Sequence, residues 1–156
     1  MKKIFLILVV TLFIQENIQA QINYTPTGLW EFANATDTII MYFKPSQINA
    51  TPTVTYNILL GFHKYKKNGV VLENTLLDTA CSYTQNRYSM KSFIYKPADA
   101  RNDGYFKDLT LNDERYIILK KINSSTINVF LTYKQGVRLS GTYGFTLPRH
   151  FTLTKL

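Results

Sequence analysis

The chain has 156 residues and a formal charge of +8, from 18 Lys and Arg against 10 Asp and Glu, with a single Cys. That length suits one domain whose core stands without staples, and one Cys excludes an internal disulfide framework. The basic excess favours anionic surfaces, but the basic residues are scattered apart from Lys64-Tyr65-Lys66-Lys67, which argues against a nucleic-acid-binding stripe.

Lys2 and Lys3 open the chain, apolar residues fill Ile4 to Val10 and Leu12 to Ile14, and Ile18-Gln19-Ala20 ends on a small residue before Gln21. This layout predicts a cleaved export signal over residues 1–20 and a domain over residues 21–156. The apolar run is shorter than the roughly 20 residues of a membrane span, and Gln21 stands where a lipid anchor needs a Cys. The expectation is a soluble protein of the periplasm or extracellular space, with no integral span in the mature chain. That compartment makes nucleic acid an unsuitable partner, and it favours burial of Cys81.

Past a polar lead with Pro26, Gly28 opens a strand on which Trp30 and Phe32 share a face. Asn34 to Asp37 reads as a turn. Ile39, Met41 and Phe43 then alternate with Ile40, Tyr42 and Lys44, and Pro45, Ser46 and Asn49 to Pro52 read as a loop. Val54, Tyr56, Ile58, Leu60 and Phe62 share the next face, against Leu59, Gly61, His63 and Tyr65. The first face turns polar at Lys64, so Gly61 is expected to mark a bulge or bend. Asn68-Gly69 before Val70-Val71-Leu72 is a strong hairpin signal. Leu76 to Tyr95 suggests a short helical turn and then a strand through Tyr88 and Met90. Asn102-Asp103-Gly104 reads as a turn. Asp99 to Asp108 lacks the alternating ligands and closing Glu of a calcium loop.

Tyr116 to Ile122 forms a strand of undetermined facing. Ile127, Val129, Leu131 and Tyr133 alternate strictly with polar residues and Phe130, and Val137 to Leu147 reads as a Gly-containing ribbon. Phe151 and Leu153 finish a last strand. Short strands with turns every 8 to 12 residues predict an all-β fold, a single antiparallel β-barrel or barrel-like sandwich of about eight to ten strands.

Catalytic and metal patterns are absent from the sequence. His63 and His150 have no Gly-x-Ser-x-Gly nucleophile elbow to serve, and His63, Cys81 and His150 carry no zinc spacing. No cofactor is expected. His63 is expected to be a half-exposed strand residue, and His150 a turn or edge residue. The aromatics carry more information. Tyr24, Tyr56, Tyr65, Tyr83, Tyr88, Tyr95 and Tyr105 fall at loops and strand ends, where rigid apolar area with a polar tip suits glycan, peptide or lipid contacts. Lys64, Tyr65, Lys66 and Lys67 form the sharpest candidate binding surface.

Several blocks carry a likeness. Gln19-Ala20-Gln21, Gly28-Leu29-Trp30, Thr38 to Lys44, Gly61 to Asn74, Phe145-Thr146-Leu147-Pro148 and Leu153-Thr154-Lys155 resemble a family of small secreted proteins from Bacteroidetes-type bacteria, a domain of unknown function. Arg149-His150 depart from the small or acidic residues usual after that Pro. The resemblance implies a shared fold and export, and no chemistry. Gly28-x-Trp30 is also similar to the lipocalin opening, in which the Trp closes one barrel end beneath a late Arg. On that likeness Trp30 with Arg138 or Arg149 would close the barrel. The expectation is a non-enzymatic binding or accessory protein whose partner is a glycan or another exported protein. A lipocalin-like carrier of a small apolar ligand stands second, and a hydrolase with an unrecognised site third.

Overall fold

The computed structural model describes residues 25–93, 101–133 and 144–156. They form nine strands: β1 (Gly28–Ala33), β2 (Asp37–Thr51), β3 (Val54–Lys67), β4 (Val70–Asn74), β5 (Met90–Phe93), β6 (Arg101–Asp108), β7 (Asp113–Asn123), β8 (Thr126–Tyr133) and β9 (His150–Lys155). The expected leader, Tyr24, Tyr95, Arg138 and most of the Val137 to Leu147 ribbon lie outside the described residues.

Every strand pairs antiparallel with its neighbours, and β1 pairs with β9 while β2 pairs with β3, so the sheet closes on itself. The result is a single closed antiparallel barrel of eight strands, with β4 as one extra strand. Long β3 makes this possible. One of its edges pairs with β2 along its whole length; the other pairs with β5 over Ile58 to Gly61 and with β4 over Lys64 to Lys67.

The period of two decides what fills the interior. Trp30, Ile39, Met41, Phe43, Leu59, Tyr65, Met90, Phe106, Ile117, Leu119, Ile127, Val129, Leu131, Phe151 and Leu153 point inward and form one buried cluster, with Phe32 and Phe145 packed against it. This settles the facing of β7: Ile117 and Leu119 look inward, Tyr116 and Ile118 outward.

The outer face of β3 is also covered. Two 3-10 turns, Leu76–Asp78 and Tyr83–Gln85, lie over Ile58, Leu60 and Phe62 and bury Cys81 with them. The Lys44 ammonium pins this cover, donating to the Thr79 carbonyl at 2.7 Å. The same cover explains the polar switch on β3. Phe62 lies beneath it, whereas Lys64 and Lys66 lie beyond it.

Three local expectations are corrected. Pro45 does not end β2, because β1 stops pairing at Gly28↔Phe43 and among the described residues the strand beyond pairs along one edge only, so the other tolerates a missing N–H. Gly61 sits in unbroken register with β2. The bulge lies between Tyr65 and Lys66, against β4. Asn102-Asp103-Gly104 is strand, not turn; the chain reverses instead at Leu109 to Asn112, where Asn112 has φ +49°.

Gly104 is required for close approach of backbones. A Cβ there would lie 2.1 Å from the Lys91 carbonyl oxygen and 2.6 Å from the Ser92 Cα. At Gly61 the obstacle is the Met90 side chain, 2.9 Å away at its Cβ and 3.3 Å at its flexible thioether. Gly104→Ala is therefore expected to lower stability by about 3 kcal/mol, and Gly61→Ala by about 1 kcal/mol, since backbone yields less readily than methionine. Urea unfolding of the two variants measures the difference.

Candidate functional site

The residues singled out in the sequence do not meet in one place. In the Lys64-Tyr65-Lys66-Lys67 run only the lysines face outward or lie at the rim. Tyr65 is 1% exposed and points into the barrel, because it shares the inner face of β3 with Leu59 and His63. Its hydroxyl donates to the Asp37 carboxylate at 2.5 Å. Burial, together with that carboxylate, pushes the phenol far above its ordinary range, while the same bond draws Asp37 below the usual carboxylate range. The binding surface expected here loses its aromatic member.

Trp30 is buried, and its indole N–H donates to the Thr27 carbonyl at 3.2 Å. The cation over its ring is Lys155, with Nζ 5.8 Å from the ring centroid. Arg149 lies instead over Phe145 and Tyr133, at 5.1 and 5.8 Å. Strand direction explains this. The β1–β9 register places Lys155 beside Trp30, and Arg149 is six residues back, roughly 20 Å along an extended strand. Arg115 reaches the same two rings from inside and donates to the Gly144 carbonyl at 3.1 Å. Asp108 accepts from the Thr146 N–H and hydroxyl at 2.8 and 2.6 Å, so this end of the barrel is held by hydrogen bonds and cation–π contacts.

His63 is fully buried rather than half-exposed. Its Nε2 lies 2.7 Å from a Glu73 carboxylate oxygen, and the two side chains are 0% and 1% exposed. The Tyr65↔Glu73 pairing turns Glu73 to the inner face, and its second oxygen accepts the Thr110 N–H at 2.8 Å. Burial raises the Glu73 pKa, but the hydrogen bonds from His63 and Thr110 outweigh it, and the carboxyl ends below its ordinary value of 4.5. The Thr75 hydroxyl accepts the His63 backbone N–H at 2.8 Å, and the Ser89 hydroxyl donates to the Gly61 carbonyl at 3.2 Å. His63 Nδ1 has no hydrogen-bond partner among the described residues; against the ring lies Phe106, at 5.0 Å between centroids. The cluster ties β4 and the Leu109 to Asn112 turn to β3. His150 is exposed at the start of β9 and stacks on Phe130 at 4.4 Å, so the two histidines do not combine.

Among the described residues an accessible polar site lies elsewhere. A half-open cleft of about 290 Å³ lies on the outer wall over β5, β6 and the start of β7. Tyr88, Tyr105, Lys91, Lys107, Asp113 and Glu114 line it, with Asn86 and Asn112 at its edges. The alternation that sends Phe106 inward sends Tyr105 and Lys107 outward. Asn86 and Asn112 both adopt left-handed backbone, at φ +53° and +49°, so each side of the cleft is shaped by a tight turn. Tyr88 stacks on Tyr83 at 5.7 Å, and burial pushes its phenol up to about 12. Lys91 Nζ lies 5.8 Å from the centre of the Tyr105 ring. The two lysines are balanced by two carboxylates, so the cleft suits a polar ligand of little net charge. Tyr88 and Tyr105 stood out in the sequence only as tyrosines near loops. Glu73, Lys91, Lys107 and Glu114 carried no signal beyond outward or inward parity.

No group of three or more metal-ligating side chains occurs among the described residues, and no helix among them is long and apolar enough to cross a membrane. Across residues 1–156 the sequence matches the profile of a family of unknown function, DUF6705. The chain belongs to that family. No curated protein and no solved structure matches it.

Membership of DUF6705 brings a shared fold to this barrel but no assigned residue, so the chemistry rests on the geometry. Removing Glu73 leaves the buried His63 ring and the Thr110 N–H without their acceptor, and each buried polar group stranded in this way costs about 1–3 kcal/mol. Glu73→Ala is expected to cost about 3 kcal/mol in urea unfolding. In this DUF6705 barrel the folded Glu73 pKa lies below its unfolded value. Its contribution is therefore present above pH 4.5 and is lost as the pH falls through the folded value. Tyr88 is the opposite case. With its pKa raised from 10.0 to about 12, it contributes fully below pH 10 and loses that contribution as the pH rises toward 12. Unfolding across pH should show the alkaline fall reduced in Tyr88→Phe and the acid fall reduced in Glu73→Gln.

Proposed function

We propose that this protein is a non-enzymatic binding module that takes a small polar ligand, of which a sugar ring is the best fit, in the cleft beside Tyr88 and Tyr105. One observation carries the reading: the cleft is open and polar, while the described interior of the barrel is filled. Met41, Phe43, Met90, Phe106, Ile117 and Val129 are all at 0% exposure, so none borders a space wide enough for water. Small barrels packed in this way leave their binding work to the outside. At about 290 Å³ the cleft stands at the low end of small-molecule sites, room for one ring rather than an extended chain. Tyrosine rings offer flat apolar faces to sugar C–H groups, and the amides and carboxylates meet hydroxyls. The export leader expected over residues 1–20 fits such a role, since glycans are abundant outside the cell membrane.

The reading differs from a lipocalin-like carrier in where the ligand sits. Calorimetric titration with a panel of neutral, amino and acidic monosaccharides is expected to find a binder. Tyr105→Ala should weaken that binder at least tenfold, and Met41→Leu, inside the barrel, should leave it unchanged. Uptake of a fatty acid or apolar dye that responds to Met41→Leu and ignores Tyr105→Ala would reject the cleft in favour of the interior.

A further inference from the structure

The β3–β4 hairpin presents a surface that neither the core nor the cleft uses. Val70, Val71 and Leu72 are 61%, 46% and 44% exposed in succession, and Leu77, just past the strand, is 89% exposed. Leu109, at 37%, adjoins Thr110, which is held against β4 by Glu73. Scattered exposed apolar residues need no explanation, but three in succession at a hairpin tip make a candidate interaction site. Cross-strand pairing sets lysines beside this strip: Lys67 opposite Val70 and Lys66 opposite Val71. Lys64 faces outward one step further back. Asp37, across from Lys67 on β2, is the carboxylate nearest in register, and it is held by the Tyr65 hydroxyl.

Alternation puts Val70 and Val71 on opposite faces of the hairpin, so apolar side chains project both ways. A protein partner lying against one face would leave the other valine in water. A lipid interface surrounds both faces at once, and lysines with apolar stems reach from that depth to phosphate groups. We propose that the β3–β4 hairpin docks this protein on an anionic lipid surface, with Val70, Val71 and Leu72 entering the headgroup region and Lys64, Lys66 and Lys67 meeting lipid phosphates. Docking stays at the interface. Among the described residues β4 pairs along one edge only, and backbone groups on its other edge need water or headgroups as partners at that depth.

The test places an environment-sensitive fluorophore on the hairpin of the full chain through Val71→Cys. Cys81 is buried, so native labelling with the unsubstituted chain as control keeps the probe at position 71. Val54→Cys, exposed at the start of β3, is the comparison site. On vesicles of phosphatidylglycerol and phosphatidylcholine in equal parts, the probe at 71 should shift to the blue and the probe at 54 should not. Vesicles of phosphatidylcholine alone should give little shift. Replacing Lys66 and Lys67 with Gln should weaken vesicle binding roughly thirtyfold, at about 1 kcal/mol per lysine near an anionic surface. An equal shift at both positions, or none at 71, overturns the proposal. A shift at 71 with soluble polyglutamate and none with vesicles overturns it in favour of an acidic peptide strand on the β4 edge. These variants lie away from the cleft, so sugar binding and vesicle binding can fail independently.

Discussion

The pairing of β2 with β3 is the interaction on which the rest depends. It joins the two ends of what would otherwise be an open sheet, from Asp37↔Lys67 to Thr51↔Val54. A sheet whose last edges meet has no free edge along that seam to recruit another chain. Because β3 is longer than any one neighbour on its other side, it also carries β4 and β5 in tandem. The inner polar cluster follows from that arrangement. His63 sits where β5 has ended and β4 begins, and Glu73, Thr75 and Ser89 satisfy the backbone at the junction.

Burial on both faces of β3 has a second effect. A strand with one face on the core and one in water shows a clean alternation. Residues Ile58 to His63 are instead buried without interruption, half against the barrel interior and half beneath the 3-10 turns. The fold thus has a small second core outside the wall, around Cys81 and Phe62, and its far side leads directly to Tyr88 and the cleft. The cleft owes its position to this cover, since the segment that shields Phe62 also brings Asn86 and Tyr88 against β5 and β6.

Much of the architecture was legible in the residues, and the reasons for the exceptions are specific. Strict alternation in Ile127 to Tyr133 and the Asn68-Gly69 turn identified strands and a hairpin correctly, because each reports a local backbone property. Asn102-Asp103-Gly104 misled because the same dipeptide that favours a turn also allows two strands to approach closely. Only the position of Lys91 decides between the two. His63 could not be recognised as buried, because its partner Glu73 is on another strand and the pairing is set by a bulge. Lys155 over Trp30 was equally hidden, since it depends on the register of the first strand against the last. The candidate cleft draws on β5, β6, β7 and a turn, so no contiguous stretch of sequence could show it.

Trp30 is the one tryptophan, and it lies where the chain's first strand meets its last, beneath Lys155. Both closing strands must be in place before its indole is shut away from water. Its emission therefore reports a long-range event in forming this barrel, and the natural chain already contains a spectroscopic marker for the pairing of β1 with β9.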